Sequence, residues 1–446
     1  MSGYTAKRLP RQPGRSGWEA ILPPRAQSPA LDSDQTFDFA VVGAGFAGLS
    51  AARRIGQLDP AATVAVLEAG VVGQGPAGRN SGFMIDLPHD LSSDDYAGKG
   101  PDADRQIIAN NRIAIGFARD LAQETQMPRW TFDPCGKINA AATPAGDAHN
   151  AHFRDYLAKL GEDSRMLDAG EMRDLTGTDF YTSGLHTPGA VLIQPADYIR
   201  GLADALPRRI TLFENSPVQR IARAGQAWRL ETAGGSITAK HVILAANGHA
   251  ESFGIHKRRL MHVFTYASMT RVLSQDEARV LGGSPDWGVT PADPMGATVR
   301  RISTTGGDRI VVRARFTYDP SMEVSDARVE RTGALHDAKF RDRFPMLSGV
   351  GMEYRWAGHL CLSWNGVPAF GQIEDGLISA VCQNGLGTVQ GTLSGMAAAE
   401  TALGAPGTAS AAFGGHPAPK KLPPEPLAWI GANATLRWKE WRAGAE

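Results

Sequence analysis

Short apolar runs set between glycine turns and polar helices organise this chain. Phe39 to Val42 is continuously apolar, is too short for a buried helix and ends at glycine, which predicts a strand covered on both faces of a parallel sheet. Leu49 to Ile55 begins a helix, and Val64 to Leu67 supplies a second buried strand. A long amphipathic helix is predicted over roughly 102–124, where Ile107, Ile108, Ile113, Ile115, Phe117 and Leu121 form one broad apolar side. From 130 to 187 short strands mix with a helix at 146–160. Residues 256–354 read as antiparallel strands and one helix, with a hairpin around Gly306–Gly307. The first 36 residues hold five prolines and read as an extended arm packed by Trp18, Ile21 and Leu22.

The first glycine turn carries chemistry. In FAVVGAGFAG, Gly43 allows a tight turn, Gly45 lets backbone approach a pyrophosphate, and Gly48 lets the helix lie close to the strand. The helix N-terminus at Phe46 and Ala47 then offers N–H groups and positive dipole to phosphates. Glu68 ends the second strand twenty positions past the last glycine (68 − 48 = 20), where a carboxylate can accept hydrogen bonds from a ribose diol. After Glu68 and Ala69 the chain departs from a nicotinamide enzyme. Gly73, Gly75, Gly78, Gly82 and Pro76 forbid an ordinary helix, and Arg79, Asn80 and Ser81 sit among them. Such a segment suits backbone pressed against a large flat ligand, with a guanidinium available to phosphates. A plain surface loop is the alternative.

This stretch, GQGPAGRNSGF, resembles the GxGxSGRNGG segment of the D-amino-acid oxidase and sarcosine oxidase family of flavoenzymes, with Ala77 and Ser81 departing from it. The resemblance covers most of the chain. It implies an α/β fold: a Rossmann-type FAD-binding domain with a second α+β domain built on an antiparallel sheet that roofs the flavin. The expected divisions are an arm at 1–36, a cofactor domain at 37–90, 189–255 and 355–404, a substrate domain at 91–188 and 256–354, and a tail at 405–446. By the same resemblance Val218 contacts the adenine side, Ala246 lies in the late ANG turn, and Asn384, Gly385, Gly387 and Thr388 open the last helix toward the flavin's pyrimidine edge. The family's histidine in that motif is Leu386 here, so no role is carried over to it. The family's covalent cysteine aligns near Gly358, so the resemblance implies FAD bound without a covalent link.

The implied reaction is oxidation of the C–N bond of a small amine or amino acid, by hydride transfer to flavin N5 and hydrolysis of the imine. Oxygen or another acceptor takes the electrons. The arm and the GRNSGF segment look most like enzymes that oxidise γ-glutamylated polyamines. Oxidation of a C–OH group, and a non-catalytic flavoprotein subunit, are the alternatives. The candidate catalytic residues are His262, Tyr266, Arg355 and Trp364. His262 can take a proton from a substrate ammonium or be a strand histidine satisfied by backbone. Trp364 either walls the pocket or fills core. Arg300, Arg301, Arg313, Arg315 and Arg355 are candidates for holding an anion, and strand alternation sets Arg313 and Arg315 on one face.

Composition narrows the partners. Lysine plus arginine and aspartate plus glutamate stand at 46 each, so no global field recruits nucleic acid or membrane. Cys135, Cys361 and Cys382 have no metal or CxxC spacing, which points to a reducing cytoplasm and no metal. No secretory signal and no membrane-spanning run is expected. Helical tryptophans 429, 438 and 441 suggest a tail packed on its own domain or a partner subunit rather than on a membrane. The oligomeric state stays open.

Overall fold

The computed structural model describes residues 3–89, 100–415 and 417–446. Five parallel strands form its first layer, in the order Ile210–Phe213, Val64–Leu67, Gln35–Val42, Ser236–Leu244 and Leu377–Val381. Alternation explains the unbroken apolar runs. Phe39, Val41, Val64 and Val66 enter one core with the helices Phe46–Leu58, Pro195–Asp204 and Gly387–Ala402. Ala40, Val42, Ala65 and Leu67 enter another, with Trp228, Leu230 and Phe253. Each strand thus serves two cores at once. The helices Phe46–Leu58 and Gly387–Ala402 meet closely because a Cβ on Gly395 would lie 2.1 Å from the Ala47 carbonyl oxygen.

Eight strands form the second sheet, running Met352–Leu362, Met261–Thr270, Gly307–Tyr318, Thr298–Thr304, Trp287–Pro291, Lys137–Ala141, Ser183–Thr187 and Arg165–Leu167. All its pairs are antiparallel except Trp287–Pro291 beside Lys137–Ala141. The sheet keeps residues up to Leu362, which pairs with Met261. The helices expected at 102–124 and 146–160 are Pro101–Glu124 and Pro144–Leu160.

A bulge interrupts the roof. Thr265 faces Phe316 but Tyr266 faces Ala314, leaving Arg315 as the extra residue at φ +75°. Past Arg313 the strand Gly307–Tyr318 has lost its neighbour Thr298–Thr304, and side chains of the C-terminal helix Leu427–Ala443 take its place. Glu440 accepts the Phe316 N–H at 2.8 Å, Asn433 accepts the Tyr318 N–H at 3.1 Å, and Arg437 donates to the Phe316 carbonyl at 2.6 Å. A free edge is thereby closed without a strand.

From residue 3 onward the arm is tied to the rest of the molecule at several points. Gly3–Thr5 pairs with Arg220–Ala224, Gly14 bridges Trp356, and Trp18 is fully buried beside Trp356 with its Nε1 donating to the Asn80 carbonyl at 2.9 Å.

Candidate active site

A long cavity runs between the two sheets. Its first part is made by two glycine turns of the same pattern, Gly43-x-Gly45-x-x-Gly48 and Gly73-x-Gly75-x-x-Gly78. Gly43 and Gly73 hold φ +101° and +88°. A Cβ on Gly48 would lie 1.8 Å from the Gly43 carbonyl oxygen, and one on Gly78 would lie 1.8 Å from that of Gly73. Gly45 differs: a Cβ there would meet only the Ala77 Cβ at 3.7 Å, because its backbone faces the cavity. Phe46 and Ala47, at the start of their helix, line the same space. So do Glu68, Ala69, Gly75, Asn80, Ser81, Val218, Ala246, Gly385, Gly387 and Thr388.

The Glu68 carboxylate is positioned by the Ala44 N–H at 2.8 Å and the Gly70 N–H at 3.1 Å, while burial raises its pKa. Helix-end amides, a fixed carboxylate and an open glycine backbone fit a dinucleotide.

Four of the expected cofactor residues act from behind the wall. Gly48 packs the helix onto its turn, and Gly82 donates its N–H to Asn80 Oδ1 at 2.8 Å. Asn384 Oδ1 accepts the Ser363 N–H at 2.8 Å. Arg79 does not reach toward phosphates. Its guanidinium donates to the carbonyls of Gln74 at 2.6 Å, Pro13 at 3.0 Å and Ala357 at 3.2 Å, tying the Gly-rich loop, the arm and the roof together. Burial lowers it to about 10.

The roof end sorts the five candidate arginines. Arg300 donates to the carbonyls of Gly82 and Ile193, and Arg301 pairs with Asp308 at 2.6 Å. Arg315, turned by the bulge, lies 3.4 Å from Glu440 rather than beside Arg313. Arg355 pairs with Asp337 at 2.9 Å under the helix Asp326–Arg343. Of the five, Arg313 lines the cavity, with Nε 3.4 Å from Ser81 Oγ and its guanidinium 4.9 Å from the Phe316 ring centre. Beside it stand Thr265, Thr290, Thr298 and His89. The Thr265 and Thr298 hydroxyls have no hydrogen-bond partner among the described residues.

The electrostatics of this end are cationic. Burial, with the fields of Lys137 and Arg313, lowers His89 well below an ordinary histidine. Burial brings the Lys137 ammonium down to about 7, against the opposing pull of Asp86. Burial and these two cationic neighbours thus favour neutral His89.

None of the four residues proposed for catalysis lines the cavity. Tyr266 is fully buried under the helix Asp326–Arg343, its hydroxyl 2.8 Å from Thr317 Oγ1. Trp364 is 60 % exposed on the turn after the last roof strand. Arg355 is held on the far face as described. His262 stands one residue back, with Nε2 3.1 Å from Glu251 Oε2 and Nδ1 3.2 Å from His359 Nε2.

His359, unanticipated from sequence, is the member of that chain that meets the cavity. Its ring stacks on Phe264 at 5.0 Å, and its Nδ1 has no partner among the described residues. Burial and the fields of His262 and His249 keep it neutral, as burial and His262 keep His249 near 4. Glu251, His262 and His359 therefore form a hydrogen-bonded path from a partly exposed carboxylate to the cavity wall. Such a path can carry a proton. A lone histidine in AGHLCL gives no sequence signal, since only the pairing of two strands brings it to His262.

Comparison with known proteins agrees with this architecture. The family model "FAD dependent oxidoreductase" matches residues 38–401. The chain is 28 % identical over 385 residues to the gamma-glutamylputrescine oxidoreductase of Escherichia coli, covering 84 % of this chain and 85 % of that protein. It is 27 % identical over 395 residues to the probable oxidoreductase OrdL of Haemophilus influenzae, covering 85 % of each. Glycine oxidase from Geobacillus kaustophilus superposes with a TM-score of 0.67 at 19 % identity, over 84 % of this chain and 96 % of that one. With the family model spanning both sheets and both glycine turns, the chain belongs to the FAD dependent oxidoreductase family.

Proposed function

We propose that this enzyme oxidises the C–N bond of a small amine or amino acid that also carries an anionic group, with FAD held non-covalently. The observation that carries the anion is Arg313, which lines the cavity at the roof together with His89, while buried Lys137 adds its field from behind the wall. Arg313 holds the anionic group, and the hydroxyls of Thr265 and Thr298 are available to orient the substrate. FAD, when bound, accepts the hydride. The substrate ammonium loses one proton before the C–H bond breaks, and the path through His359, His262 and Glu251 takes it to the surface.

Similarity to the gamma-glutamylputrescine oxidoreductase and to glycine oxidase supports an amine or amino acid as the donor. Oxygen or another small acceptor would take the electrons. Anaerobic mixing of the purified protein with amines, amino acids and hydroxy acids tests the reading. Bleaching of the flavin band by carboxylated amines supports it, and bleaching by hydroxy acids alone overturns it. Acid precipitation is expected to leave the yellow colour in the supernatant, and colour retained in the pellet would show a covalent bond.

A further inference from the structure

The helix Leu427–Ala443 is apolar on two opposite faces, and one of them is uncovered. Inward, Ala428, Ala432, Leu436 and Ala443 pack on Val263, Phe316 and Tyr318. On the other side Leu427, Ile430, Ala434, Trp438 and Trp441 recur at intervals of three and four residues, which is one stripe of a helix. Its four large members are 63, 54, 53 and 78 % exposed. The turn bearing exposed Trp364 grips the segment that leads into this helix. Asn365 donates to the Ala418 carbonyl at 3.3 Å and accepts the Lys420 N–H at 3.1 Å. Contiguous exposed apolar surface of this kind marks a docking site.

Charge decides the partner. The helix's one acid before Glu446, Glu440, is turned inward onto the Phe316 N–H and Arg315. Arg442 flanks the stripe, with its guanidinium 5.0 Å from the Trp438 ring centre. Lys420 and Lys421 stand exposed just upstream. A second copy of this surface would bring like charges together. An anionic lipid surface complements it, since tryptophan rings settle at the headgroup level while cations sit among the phosphates. We propose that this face docks the enzyme on anionic membrane surface, with Trp438 and Trp441 inserted at the interface. No helix among the described residues is long and apolar enough to cross a membrane, so attachment is peripheral.

Co-sedimentation of the full-length, FAD-loaded protein with vesicles tests this independently of turnover. Phosphatidylcholine vesicles containing phosphatidylglycerol are expected to bind the protein, shift its tryptophan emission to the blue and release it in high salt, whereas phosphatidylcholine alone is not. The double variant W438S/W441S is expected to bind at least about tenfold more weakly. K420E/K421E/R442E is expected to lose vesicle binding while keeping the wild-type flavin spectrum, which separates docking from folding. Protein that stays in the supernatant with anionic vesicles at low salt overturns the proposal. So does light scattering that shows a dimer dissociated by W438S/W441S.

Discussion

On the proposed reading, Arg313 is the residue that selects an anionic substrate. Of the five candidate arginines it is the one that lines the cavity, so an anion entering there meets Arg313 first. Replacing Arg313 by Met is expected to raise KM for an anionic substrate by roughly thirtyfold to a thousandfold, from about 2–4 kcal/mol of lost charge-assisted contact. The flavin spectrum should stay unchanged. Lys137 adds a pH dependence whose sign is fixed. Its ammonium is charged below about 7 and neutral above, so the corner holds anions less tightly as pH rises through that value. The Ki of a simple carboxylate inhibitor should rise across neutral pH in the wild type and stay flat in Lys137→Met. The sequence displayed these arginines but could not rank them. Alternation put Arg313 and Arg315 together, and a one-residue bulge separated them by twisting Arg315 to positive φ. Arg79 misled for a related reason: a guanidinium in a glycine-rich loop suggests phosphate, yet here it serves three backbone carbonyls.

At the scale of elements, legibility followed locality. A glycine turn between a strand and a helix is dictated by backbone contacts a few residues apart, so Gly43, Gly45, Gly48 and Glu68 were readable at once. The roof side of the cavity was not, because Thr298, Phe316 and His359 come from three strands whose register no local pattern specifies. The tail helix was half legible. The tail packs on its own domain as expected, but through Ala428, Ala432, Leu436 and Ala443 rather than through the tryptophans, which stay exposed. The glycine turns give a paired prediction. Gly48→Ala drives a Cβ into the Gly43 carbonyl and should cost about 1–3 kcal/mol of stability as well as FAD. Gly45→Ala has room in the fold, so its melting temperature without FAD should match wild type while its FAD affinity falls. Melting curves of apoprotein and fluorescence titration with FAD separate the two.

Across the whole molecule the arm binds the two sheets together. Arg8, Leu9, Pro10 and Gln12 line the cavity, Ser16 Oγ donates to the Gly78 carbonyl at 3.1 Å, and Trp18 holds Asn80. These contacts fasten the second glycine turn, which faces the first across the dinucleotide site. Departure of the coenzyme then waits on local release of about a dozen residues near the amino terminus, and its residence time is set by that opening. In a chase against excess unlabelled FAD, Trp18→Ala should exchange its flavin at least about tenfold faster than wild type. The same latch implies an order of assembly: coenzyme enters before the N-terminal strap closes, so a chain nicked behind the strap would admit flavin freely and keep it poorly.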